Sequence, residues 1–154
     1  MDLLGRKVVM QDGKAFAVYL EEVGKTIEAA RTHSELKPAI DDLEKALALL
    51  QEVTSHLVSL ALSGQIDLFL ADATLYLEFF GIICIAWQWL IQAKAAHQAL
   101  AGKVSASDAD FYHGKIHAFR YFYAYELPKI AGLAKRLQNS DGLTVSMPTA
   151  YFED

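Results

Sequence analysis

The sequence predicts an all-α fold: an up-down antiparallel helical bundle of about four helices with an irregular C-terminal tail. Three observations carry that reading. Apolar residues recur at steps of three and four along most of the chain, the period of a helix with one buried face. Residues of the helix-starting and helix-stopping kinds fall between those stretches. Nowhere does apolar and polar alternation run long enough to suggest a strand.

The first helix is expected to open at Asp12-Gly13, with the Asp12 carboxylate accepting from first-turn amides. Phe16, Tyr19, Leu20, Val23, Ile27 and Ala30 then form one apolar stripe. Arg31-Thr32-His33 interrupts it and reads as a link. Ser34 is the next candidate N-cap, and Pro38 is tolerable only in a first turn, where its missing N–H costs little. Leu36, Ile40, Leu43, Leu47, Leu50, Leu57 and Ala61 mark the inner face of the second helix. Thr54 sits in a gap of that stripe, and Gly64 supplies the stop.

The third helix is predicted over 67–100, starting at Asp67 and ending before Gly102. It would be roughly 50 Å long unless Gly81 bends it, and its centre, FFGIICIAWQWLI, is apolar on almost every side. Ser107 and Asp110 have capping-box spacing and open the fourth helix over 108–138. Phe111, Ala118, Phe119, Phe122 and Tyr125 are its expected inward stripe. Pro128 predicts a kink near Tyr125, after which Ile130, Leu133 and Leu137 resume the rhythm. Asn139-Ser140-Asp141-Gly142 ends the helix.

Composition narrows the function classes. The 154 residues fit one domain of ordinary size, and 53% hydrophobic residues supply a full core. A net charge of −5 gives no footprint for nucleic acid, which calls for a basic face. The single cysteine, Cys84, forms no internal disulfide and reads as a buried small hydrophobe. MDLLGRK lacks the apolar run of a signal peptide, so a cytoplasmic location is expected. The apolar run of the third helix is shorter than the roughly 20 residues of a membrane span and contains Gln88, so no transmembrane segment is expected.

No self-sufficient catalytic motif is present. His113 and His117 share a helix face, but two ligands do not make a metal site and no H-E-x-x-H accompanies them, so no metal is expected. His97 and His56 are isolated. Asp72 and Glu78 on the apolar helix, and Arg120 and Glu126 on the fourth, are costly if buried alone; a Glu78–Arg120 ion pair between helices would satisfy both, and the expected reading is such a bundle-internal pair or a solvated edge. Tyr112, Tyr121, Tyr123 and Tyr125 fit a core or a subunit interface better than a ligand box. Gly5, Gly13 and Gly24 lack the spacing of a phosphate loop.

Four stretches, taken in order, carry a resemblance: DLLGRKVVMQDGKAF at 2–16, YLEFFGIICIAWQWL at 76–90, FYHGKIHAFRYFYAYELPKI at 111–130 and SMPTAYF at 146–152. Together they resemble the C-terminal portion of the large bacterial acyl-CoA dehydrogenases. In that family a YEGT-type motif carries the glutamate that removes the proton α to the thioester, hydride passes to FAD, and acyl-CoA becomes 2-enoyl-CoA. The resemblance places that motif just before the segment similar to DLLGRK, so it implies no catalytic residue here; Glu21 and Glu126 do not match the motif. Arg6 and Lys7 lie nearest the implied flavin segment and are the only candidates for a phosphate contact.

The resemblance further implies that 1–31 finishes the dehydrogenase helical domain and that 34–154 forms a helical-bundle extension, the two also able to make one compact unit. FAD would belong to the parent enzyme, with none expected in this chain alone. The implied partners are the rest of the dehydrogenase chain and a second subunit, with acyl-CoA met only through the parent. Two other readings are an independent helical-bundle interaction module and a membrane-peripheral helical domain.

Overall fold

The computed structural model describes residues 1–153, and its six α-helices make the predicted up-down bundle. They are α1 (Lys14–Ala30), α2 (Lys37–Leu62), α3 (Ile66–Ala71), α4 (Ala73–Leu100), α5 (Ala106–Tyr121) and α6 (Ile130–Asn139). No strand occurs among the described residues. Side-chain pairs fix the directions. Phe16 meets Phe80 and Trp87 bonds Thr26, so α1 and α4 run parallel. Lys115 reaches Gln92 while Tyr123 reaches Ala86, so the arm from α5 to α6 runs antiparallel to α4. Glu52 with Gln138, and His56 with Ser140, set α2 parallel to α6.

Helix α4 is the hub, touching α1, α2, α5, α6 and the N-terminal segment. One continuous buried cluster takes in Leu4 and Val8 from the N-terminal segment, Val23 and Ile27 from α1, Leu43, Leu50 and Val53 from α2, and Tyr76, Phe79, Ile83 and Leu90 from α4. Each such side chain contributes about 1.5–3 kcal/mol by leaving water. The predicted stripes of α1 and α2 point inward, and Thr54 fills its gap by burial. Its hydroxyl donates to the Leu50 carbonyl at 2.6 Å and shares a 2.8 Å bond with the Tyr76 hydroxyl.

Several element starts differ from expectation. Leu3–Val8 forms a π-helical segment that the periodicity does not announce. The turn after it places Gln11, Asp12 and Gly13 at φ 51°, 56° and 81°, so α1 begins at Lys14 and Asp12 makes no cap bond. Asp and Gly are the residues that tolerate such a left-handed reversal. Ser34 opens a 3₁₀ turn, Ser34–Leu36, and makes no cap bond; α2 follows, with Pro38 in its first turn as expected. The single long helix expected over 67–100 is broken at Asp72, whose φ of −106° and ψ of 27° divide α3 from α4. Gly81 lies inside unbroken helix.

The sequence SASDAD holds two overlapping capping signals, and the earlier one is used. Ser105 accepts from the Asp108 amide at 3.1 Å and donates to the Asp108 carboxylate at 2.8 Å, whereas the Ser107–Asp110 pair lies within α5. Ser105→Ala should therefore cost about 1 kcal/mol while Ser107→Ala costs a few tenths, read as shifts in urea midpoint. Pro128 disturbs the helix as predicted. The preceding turn, Phe122–Glu126, widens so that the Leu127 amide donates to the Phe122 carbonyl five residues back, and a 3₁₀ turn, Leu127–Lys129, leads into α6. A widened turn gives room to a proline ring that crowds the preceding carbonyls.

The inward stripe of the fourth helical arm also differs. Ile116, Phe119, Tyr123 and Leu127 are buried at ordinary helical spacing, while Phe111, in the second turn of α5, and Tyr125, within the wide turn, are exposed. Gly64 stops α2 at φ +83°, with nothing within 4 Å of where a Cβ would stand. Gly64→Ala is therefore a test of backbone strain alone, with an expected loss of about 1 kcal/mol in chemical denaturation.

Candidate functional site

The ionisable residues singled out in the sequence are dispersed rather than gathered into a reaction centre. Glu78 and Arg120 are both exposed and form no ion pair, so the solvated edge holds and the Glu78–Arg120 bridge does not. Asp72 instead meets Arg136 at 2.9 Å, and the same guanidinium holds Asp141 at 2.9 Å. Asp72 stands at the α3–α4 break, so this pair fastens the break to α6. The Leu143 amide and Arg136 together hold the Asp141 carboxyl below its usual range. Glu126 pairs with Lys129 one turn on, at the surface. Glu35 and Asp42 line one open cleft together with Arg120.

Arg6 bonds Asp2 at 3.2 Å on the exposed side of the N-terminal π-helical segment, and Lys7 is exposed beside it. An open cleft of about 620 Å³ lies against that segment, between Gly5, Val8, Phe16, Val58 and Phe69. Its one ionisable lining residue is Asp12, so a flavin diphosphate placed there would meet like charge. Neither Arg6 nor Lys7 lines that cleft. Among the described residues no group of three or more His, Cys, Asp or Glu converges in a metal-holding arrangement. His56 shares a 2.8 Å bond with Ser140; His97, His113 and His117 line one cleft.

The interior is aromatic and hydrogen-bonded. Tyr19 lies 4.9 Å from Phe80 and edge-on to Trp87 at 5.7 Å, both within the preferred range for aromatic pairs. Trp87 Nε1 donates to Thr26 at 2.8 Å. Cys84 contacts the Tyr19 hydroxyl at 3.6 Å, and burial pushes its thiol up, away from the reactive thiolate. The Tyr123 hydroxyl donates to the Ala86 carbonyl at 3.0 Å, tying the wide turn to α4.

Burial raises the hydroxyl pKa of Tyr19, Tyr76 and Tyr123, that of Tyr76 to about 12. Each folded-state pKa exceeds the unfolded value near 10, so the stabilisation is complete below about pH 10 and is lost as pH rises above it. Unfolding monitored by circular dichroism should accordingly show urea midpoints that fall steadily above about pH 10.

One face of the bundle remains uncovered. Leu77, Gly81, Ile85 and Gln88 lie four, four and three apart along α4, and Leu77 and Ile85 are about half exposed. Beside them Tyr121 and Tyr125 stack at 4.8 Å, both exposed. The expectation that α4 is enclosed on every side is thus corrected: α1, α2, α5 and α6 cover it elsewhere and leave this stripe open. By length and composition α4 could cross a membrane, with a mean hydropathy of 1.6 over 18 residues, but a core helix passes the same test, and here α4 is the packed centre of the bundle.

What decides the family is the chain's match, over residues 19–148, to the model of the domain described as acetyl-CoA dehydrogenase C-terminal like. The chain belongs to that family. No curated protein matches it. In this acetyl-CoA dehydrogenase C-terminal-like domain, the four helical arms lie within or across the matched region, and the match takes in the Tyr121–Tyr125 stack and all of α4. The stack had a signal in the sequence, four tyrosines within fourteen residues. Which of them face outward depended on the wide turn before Pro128.

Proposed function

We propose that this domain is the helical C-terminal scaffold of an FAD-dependent acyl-CoA dehydrogenase that oxidises acyl-CoA to 2-enoyl-CoA. Its work is to pack against the flavin-bearing body and to help form a subunit interface. Family membership supports the parent activity, and the exposed apolar side chains Leu77, Ile85, Tyr121 and Tyr125 support the docking role. Tyrosine suits such a face because its ring gives apolar area while its hydroxyl stays wet. The scaffold reading is also supported by chemistry: Asp72 is paired with Arg136 and Glu126 with Lys129, and partial burial pushes the Cys84 thiol up, away from the reactive thiolate. Chemistry on the thioester and the flavin belongs, in this reading, to other parts of the enzyme.

The chain purified alone, then incubated with FAD and acyl-CoA, should retain no stoichiometric flavin and should not reduce a redox dye. Flavin retention together with acyl-CoA-dependent dye reduction would overturn the scaffold role. Co-sedimentation with anionic liposomes at low salt separates docking on protein from docking on a membrane surface. The expected result is no liposome binding.

A further inference from the structure

We propose that the cleft between the C-terminal end of α4 and the face of α5 that carries His113, His117 and Arg120 binds a phosphate-type oxyanion. The inference is independent of the acyl-CoA dehydrogenase reading. The cleft measures about 260 Å³ and is lined by His97, Leu100, His113, Ile116, His117 and Arg120. His113, His117 and Arg120 stand four and three residues apart, so they share one face of α5. His97 comes from α4 on the other side.

The charge arrangement is unusual for this chain. The protein carries a net charge of −5, yet no carboxylate lines this cleft. Of the four arginines, Arg6 pairs with Asp2, Arg31 with Glu28 and Glu44, and Arg136 with Asp72 and Asp141; Arg120 has no ion pair among the described residues. Four of the five histidines gather at this end, because the His33 ring lies 6.2 Å from that of His97. The acidic groups nearby are Glu35, ahead of α2, and Asp42 on α2. Both line the neighbouring cleft that also touches Arg120, and Glu35 feels the charge of His97 and His33. Neither carboxylate comes within ion-pair distance of Arg120 or of an imidazole.

An unpaired guanidinium offers a planar fork that matches an oxyanion, and the imidazoles add N–H donors around it. Leu100 and the buried Ile116 give the cleft an apolar lining that strengthens those bonds. Size selects the ligand class: ligand pockets begin at about 300 Å³, so this cleft suits a small oxyanion with a few waters and not a flavin. A metal ion is disfavoured because the imidazoles do not converge as ligands.

The test is histidine-ring NMR on the full chain during titration with inorganic phosphate at about pH 6.5, where phosphate is ionised. The ring signals of His97, His113 and His117 should shift saturably, while His56, held by Ser140 elsewhere in the fold, stays still. Arg120→Gln, a substitution at an exposed position, should weaken binding by about tenfold with helicity unchanged, whereas Lys25→Gln leaves it intact. A nucleoside monophosphate tested in parallel distinguishes the sources: equal affinity identifies the free ion as sufficient, and tighter binding identifies an ester, either result upholding the site. Absence of saturable shifts, movement of His56 in parallel with the others, or wild-type binding by Arg120→Gln would overturn it.

Discussion

Phe79→Ala should lower the stability of the domain by about 3–5 kcal/mol, the largest loss expected from any single truncation in it. Phe79 is fully buried, with 0% of its surface accessible, and sits on α4, the helix that every long element touches. Removing its ring leaves a cavity inside the buried cluster. Because one continuous cluster runs from the N-terminal segment to α6, the loss should appear as a single shifted transition, not as the melting of one end. For a domain of this length each kcal/mol displaces the thermal midpoint by about 2–4 °C, so a fall of at least about 6 °C is expected by calorimetry. Ile85→Ala is the matched control. Ile85 lies on the same helix but is 49% exposed, and its truncation should cost less than about 1 kcal/mol.

The second large effect is at the buried hydroxyl pair. Thr54→Val keeps the shape of residue 54 but leaves the Tyr76 hydroxyl without its 2.8 Å partner inside the core, at an expected cost of about 1–3 kcal/mol. Tyr76→Phe alone leaves Thr54 still bonded to the Leu50 carbonyl, so it should cost less. The double variant Thr54→Val/Tyr76→Phe removes both polar groups and should recover much of the loss. The coupling from the double-mutant cycle should therefore be at least about 0.5 kcal/mol. Additive losses would mean that the two hydroxyls do not depend on one another.

The course of the helices was legible in the sequence because burial enforces periodicity. The stripes of α1 and α2 had to face a core, and they do. Pro128 announced its disturbance because a missing N–H has one local consequence wherever a helix runs. The starts were less legible. In SASDAD two serines compete for one cap, and only the path of the chain from α4 chooses Ser105. Asp72 breaks the third helix although nothing local demands it; its carboxylate is claimed by Arg136, 64 residues away in the chain. Tyr125 was misplaced because it falls within the wide turn Phe122–Glu126, where a constant period does not hold, and Phe111 because the buried stripe of α5 runs through Ile116 and Phe119 instead.

The candidate sites followed the same division. His113 and His117 were visible as a helix-face pair, with Arg120 one turn on along the same face, but His97 joins them only through the packing of α4 on α5. The Glu78–Arg120 bridge failed because both residues reach water, and solvated charges have little to gain from pairing. Family resemblance rested on the aromatic stretches, and those stretches prove to be the core helix α4 and the partly exposed arm beside it.

The central claim, that this domain is a docking scaffold, is tested most directly by sedimentation velocity of the chain mixed with the flavin-bearing body proposed as its partner. The account predicts a co-sedimenting complex for the wild-type chain, lost in Leu77→Asp and Tyr125→Asp variants that remain fully helical. Separate boundaries for the wild-type chain and the flavin-bearing body, or a complex unaffected by either substitution, would contradict it.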